Sequence, residues 1–155
     1  MGSRILSIDA GFLVFIAMLI LLLPIRLIVA WLIAIIIHEL GHYIALRLFR
    51  VRVYSVRLRV FGATMITEPI SGWREAVCAA AGPIAGFCVL LVARWMPCTA
   101  VFAFVHSVYN LLPISSLDGG RILKCVLRMI FMKISLQRVK TNSTISKTKH
   151  LERYK

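Results

Sequence analysis

The sequence predicts an all-α polytopic membrane protein with about four transmembrane helices, an interfacial cationic helix and a short β-hairpin. Three observations predict it. Of the 155 residues 60% are hydrophobic, and the mean hydropathy of +0.87 is too high for a water-soluble domain. The apolar residues fall into long runs, interrupted at Pro24-Ile25-Arg26 and Pro97-Cys98-Thr99. The basic residues gather at the ends of those runs. With both termini on one face, that face carries 17 of the 19 Lys and Arg, leaving only Arg26 and Arg94 for the other. By the positive-inside rule the crowded face is cytoplasmic, so the net charge of +13 reads as membrane topology before nucleic-acid binding.

Residues 5–23 contain one charge, Asp9, and as a helix span about 28 Å, against a hydrocarbon core of roughly 30 Å. The run is long and has no small-residue cleavage site, which argues against a removable signal. Residues 27–48 form the second helix. Arg47, Arg50, Arg52, Arg57 and Arg59 crowd at and beyond its end. There the period changes to two: Val56, Leu58 and Val60 alternate with Arg57 and Arg59, and Gly62 precedes a second run over residues 63–67. Val51 and Val53 lie on the opposite phase, so the predicted hairpin needs a bulge near Tyr54 and Ser55. Two roles are open to it: an interfacial ribbon with arginines on lipid phosphates, or a free edge that accepts an extended peptide as an added strand.

Residues 75–96 form a third helix rich in small side chains, including the Gly82-x-x-x-Gly86 pair that lets helices approach closely, with a bend expected at Pro83. A fourth covers residues 99–112 and stops at Pro113. The segment from Ile114 to Gly120 suits a regular helix poorly, and such backbone is tolerated at membrane depth only where protein buries it or it lines a wet cavity. Residues 121–133 then place Arg121, Lys124 and Arg128 opposite Ile122, Leu123, Leu127, Ile130 and Phe131, a cationic amphipathic helix for the interface. The chain divides into a membrane domain over residues 1–133 and a basic, flexible cytoplasmic tail over 134–155. Cys78, Cys88, Cys98 and Cys125 show no C-x-x-C spacing and read as packing residues.

The chemistry concentrates in His38-Glu39-Leu40-Gly41-His42, inside the second apolar run, where ionisable side chains are costly to keep. His38 and His42 are four residues apart, so both imidazoles project from one helix face toward a single ion. Glu39 lies beside them, and Gly41 leaves room for a neighbouring backbone. This is the H-E-x-x-H arrangement of zinc hydrolases, in which two imidazoles hold the metal and the carboxylate takes a proton from water. Counted from Arg26, the histidines lie roughly 18 to 24 Å from the outer face, and the fourth helix descends roughly 21 Å before the irregular segment delivers Asp118. The depths agree. The predicted site is therefore one Zn2+ per chain on His38, His42 and Asp118, with water in the fourth position and Glu39 as catalytic carboxylate.

Asn110-Leu111-Leu112-Pro113, followed by Leu117-Asp118-Gly119-Gly120 and preceded by Ala81-Gly82-Pro83, resembles the site-2 protease family of intramembrane zinc metalloproteases. With H-E-x-x-H these motifs occur in the family's order, over roughly residues 27–128. The resemblance implies His38, His42 and Asp118 as zinc ligands, Glu39 as the catalytic carboxylate and Asn110 near the substrate. Asn110 reads either as a hydrogen-bonding contact between helices or as a side chain that holds substrate backbone; His106, one turn earlier, either orients it or packs between helices. Neither the PDZ nor the CBS domain found in some family members is evident. The compact layout is most similar to the stage IV sporulation protein FB branch, which cleaves a membrane-associated pro-sigma factor. That implies a multi-pass protein of a bacterial cell membrane, with both termini and the nearer side of the site cytoplasmic. Its partners would be the bilayer and a membrane-spanning or membrane-associated protein substrate, with a membrane regulator left open. The alternative is a catalytically silent membrane binding protein that keeps the metal as a structural staple. Nucleic acid is not expected as a partner, because the basic tail lacks interleaved aromatics beyond Tyr154.

Overall fold

The computed structural model describes residues 6–59 and 62–152. In chain order these form β1 (Leu6–Ile8), α1 (Ala10–Leu22), α2 (Ile25–Leu48), β2 (Val53–Arg59), β3 (Gly62–Thr67), α3 (Trp73–Cys88), α4 (Pro97–Asn110) and α5 (Asp118–Glu152), with a 3-10 turn over Val89–Val92. The fold is mostly helical, with a small sheet at one end.

The first helix starts later than the apolar run suggests. Asp9 is extended (φ −77°, ψ 141°) and its carboxylate accepts from the Gly11 N–H, so it caps α1 rather than lying within it. The residues before it form β1, which runs parallel to β2 in register Leu6 to Val56 and Ile8 to Leu58. The expected hairpin is therefore two strands of a three-stranded sheet, ordered β1-β2-β3. The bulge falls where the phase change predicts: Val53 pairs with Thr67 but Ser55 pairs with Ile66, leaving Tyr54 as the extra residue. Val60, the last residue of the expected alternation, lies outside the described residues.

Among the described residues two helices are long and apolar enough to cross a membrane, Ile25–Leu48 and Trp73–Val92. At 13 and 14 residues, α1 and α4 are each only about 20 Å long. Of the four helices expected to span, two among the described residues have the length to do so, and α1 and α4 are shorter than expected. Their ends fix the directions. The β1–β2 pairing puts the start of α1 and the end of α2 at one level, and a Phe49–Trp73 ring contact (centroids 5.4 Å apart) brings the start of α3 there too.

Small residues fill much of the interior, beside Ile28, Leu46 and Val89, and most large apolar side chains lie on the exterior. Ala34, Ala79, Ala100, Ala103 and Ser107 are buried, while Leu21, Leu48, Leu91 and Trp95 are each at least 75% exposed. Water would penalise that surface heavily; lipid does not. On α2, a Cβ at Gly41 would come within 2.5 Å of the Ala81 carbonyl oxygen and 2.6 Å of the Ala85 Cβ, so this glycine sets how closely α2 and α3 pack.

The segment after Pro113 is shorter than expected, because α5 begins at Asp118 rather than at residue 121. Gly119 and Gly120 permit this: a Cβ on either would collide with the carbonyl oxygen of Leu111 or Ile114. With no Gly or Pro after Gly120 to stop it, the helix continues to Glu152, past residue 133 where the amphipathic pattern ends. The tail residues 153–155 lie outside the described residues. All four cysteines are free, Cys78 and Cys125 buried and Cys88 exposed on the apolar exterior.

Candidate metal centre

α2 carries His38 and His42 one turn apart, about 15 and 9 Å from its C-terminal end. The start of α5 brings Asp118 against them. Oδ2 of Asp118 lies 3.2 Å from Nε2 of His38 and 3.1 Å from Nε2 of His42, and the two Nε2 atoms are 3.2 Å apart. The three side chains are buried or nearly so. They form a group able to hold a metal ion.

The chemistry of these donors fits a cation at their centre. The carbonyl oxygen of Cys78 can only accept, so the 2.8 Å contact from Nδ1 of His42 means that Nδ1 carries the proton. Nε2 of His42 then presents a lone pair toward a carboxylate oxygen, an arrangement that is repulsive until a cation or proton lies between them. The spacing agrees: tetrahedral ligands about 2.0–2.1 Å from an ion are roughly 3.3 Å from one another. His38 is held differently. Its ring lies edge-on between those of His42 and His106, with centroid distances of 4.9 and 4.6 Å, and its buried Nδ1 has no hydrogen-bond partner among the described residues.

Gly82 is what allows His42 to stand here. A Cβ at that position would overlap the imidazole, reaching 2.5 Å from Cε1 and 2.7 Å from Cδ2. Gly86, four residues on, instead admits Ser107 of α4, so the small-residue pair serves two different neighbours.

A cavity of about 420 Å3 opens on the donors and is lined also by Glu39, Ala63, Thr64, Met65, Asn110 and Arg121. Glu39 is half-buried on its wall, and its Oε1 accepts the backbone N–H of Ala63 on β3 at 3.0 Å. Asn110 is buried at the end of α4; its Nδ2 donates to Nε2 of His106 at 3.0 Å and to the His106 carbonyl at 3.1 Å. All five residues singled out in the sequence, His38, Glu39, His42, Asn110 and Asp118, therefore meet at one cavity. His106 contacts both Asn110 and the His38 ring, joining the two roles left open for it.

Three contributors were not anticipated. Arg121 lines the cavity, with Nη1 4.0 Å from Oδ1 of Asp118, and its i+3 spacing on a helix was a usable signal. The Cys78 carbonyl and the Ala63 N–H had none, since every residue except proline carries both groups.

A solved structure titled as a site-2 protease from Methanocaldococcus jannaschii superposes on this chain with a TM-score of 0.62, covering 82% of this chain and 70% of that one at 22% identity. The chain has the site-2 protease fold. No protein-family model and no curated protein matches the sequence. Within this fold the metal-binding donors arise from α2 and the start of α5, and the sheet lies beside their cavity.

Proposed function

We propose that this protein is an intramembrane zinc metalloprotease that hydrolyses a peptide bond in a membrane-spanning or membrane-associated protein. One observation carries the reading: three donor atoms 3.1–3.2 Å apart, in a cavity whose wall also holds Glu39. The site-2 protease fold and two apolar helices of spanning length support it.

His38, His42 and Asp118 would hold the zinc, which supplies a Lewis acid able to polarise a carbonyl and acidify water. Glu39 takes the proton of the attacking water and passes it to the nitrogen of the leaving amine. The Ala63 N–H fixes one of its oxygens, leaving the other to act as the base. Because Ala63 belongs to β3, an edge strand whose Ala63, Thr64, Met65 and Thr67 line the cavity, an extended peptide added to that edge lies across the site. The NH2 group of Asn110 is engaged with His106, so its Oδ1 is what remains for a substrate N–H. A helical substrate must open before its peptide can reach these groups. The likeness to the stage IV sporulation protein FB branch makes a membrane-associated pro-transcription factor of a bacterial cell the first substrate class to test, with the site reached from the cytoplasmic side.

The deciding experiment is Glu39→Gln in the full chain with a tethered substrate and a parallel zinc measurement. The substitution should leave one zinc per chain and reduce cleavage by about 100-fold or more. Zinc retained with cleavage unchanged would reject the mechanism, and no cleavage by the unaltered chain of any membrane-tethered peptide would favour a silent binding protein.

A further inference from the structure

A second cavity, of about 370 Å3, lies away from the metal centre and is lined by Phe49, Arg50, Glu68, Ser71, Trp73 and Arg74, among others. It sits where α2 ends and α3 begins, so both helices of spanning length meet it at the same level. Arg74 lies over the rings of Phe49 and Trp73, 6.0 and 5.8 Å from their centroids. Among the described residues no ion pair reaches Arg50 or Arg74.

The backbone at Arg50 points to a reason for its side chain. α2 ends in a Schellman turn: Arg50 N–H donates to the Arg47 carbonyl at 3.0 Å and Val51 N–H to the Leu46 carbonyl at 2.9 Å. In this turn the residue just after the helix cap is left-handed, and glycine is favoured there, yet Arg50 occupies it with φ +58°. A strained residue that brings a guanidinium to a cavity is the pattern of a ligand site.

We infer that this cavity binds the headgroup of an anionic glycerophospholipid. Arg50 and Arg74 take the phosphate, for which guanidinium forks are suited, and Ser71 adds a hydroxyl. Two guanidinium groups against the one carboxylate of Glu68 leave a net positive lining that selects a monoanionic headgroup, and Glu68 accepts from a headgroup hydroxyl. A membrane lipid is the source rather than a free phosphate because apolar surface adjoins the cavity: Leu48 is 77% exposed and Trp73 57% exposed, both at the helix ends where acyl chains begin. The site is independent of the proteolytic reading, since lipid retention is measured on the uncleaved chain.

The test is native mass spectrometry of the full chain in detergent, titrated with phosphatidylglycerol and with phosphatidylcholine. The chain should retain phosphatidylglycerol preferentially, and Arg50→Gly and Arg74→Gln should each weaken retention by about fivefold. Arg50→Gly installs the residue the turn prefers, so its loss of lipid cannot come from misfolding. Arg94→Gln removes the same charge at the far end of the molecule and should change nothing. Equal retention of both lipids, equal weakening by Arg94→Gln, or displacement of the lipid by millimolar inorganic phosphate would each overturn the inference.

Discussion

His42 shows how many separate constraints one side chain can satisfy. Its Nδ1 donates to the Cys78 carbonyl, its Nε2 faces Asp118, and its ring stands in the space left by Gly82. Gly82→Ala should therefore displace the ring without adding charge or polarity. Zinc affinity, read by chelator competition, should fall by about 10- to 100-fold, the range seen when outer contacts of a ligand are lost. An unchanged affinity would mean that the ring has room to move. Asp118→Asn keeps the shape of the third donor but removes its charge, and zinc bound per chain should fall well below one; full occupancy would remove Asp118 from the ligand set. Both tests concern binding, which separates them from the catalytic test at Glu39.

At the scale of elements, the sheet and the helix pair contribute differently. β3 lines the cavity with Ala63, Thr64, Met65 and Thr67 and hydrogen-bonds Glu39 through the Ala63 N–H. Proline is tolerated on an edge strand, so Ala63→Pro removes that donor with little damage to the sheet. Zinc content should hold while kcat falls about tenfold, the usual effect of losing a hydrogen bond to a charged group. A fall in zinc content instead would mean that β3 shapes the metal site itself. The α2–α3 pair depends on close approach at Gly41, where a side chain would meet the Ala81 carbonyl. Gly41→Val should destabilise the protein by about 1–3 kcal/mol, seen as a lower melting temperature in detergent. No change would place the packing elsewhere.

At the scale of the whole molecule small residues such as Ala34, Ala79, Ala100, Ala103 and Ser107 fill much of the interior, while most large apolar side chains, Leu21, Leu91 and Trp95 among them, face outward. Combined with the basic residues gathered at one end, this arrangement makes a topological prediction. In a chain with its four native cysteines replaced by alanine, Arg26→Cys should react with an impermeant maleimide from outside intact cells, and Arg50→Cys only after permeabilisation. The reverse pattern would invert the orientation expected from the charge distribution.

Sequence alone determined what depends on spacing along a single segment. The turn between His38 and His42, the small face of α3 and the phase change that became the bulge at Tyr54 were all readable, because helix and strand periods are local. Asp118 was legible too, because helix rise puts it at the depth of the two histidines it meets. Helix ends were harder to read: an apolar run does not reveal that Asp9 caps α1 or that the residues before it pair with β2. Only the tertiary structure decided that the Cys78 carbonyl orients His42, that the Ala63 N–H holds Glu39, and that Gly82 clears the imidazole. The physical reason is common to all three. A backbone N–H or carbonyl is the same in nearly every residue, and space around a ring exists only once another segment has packed beside it.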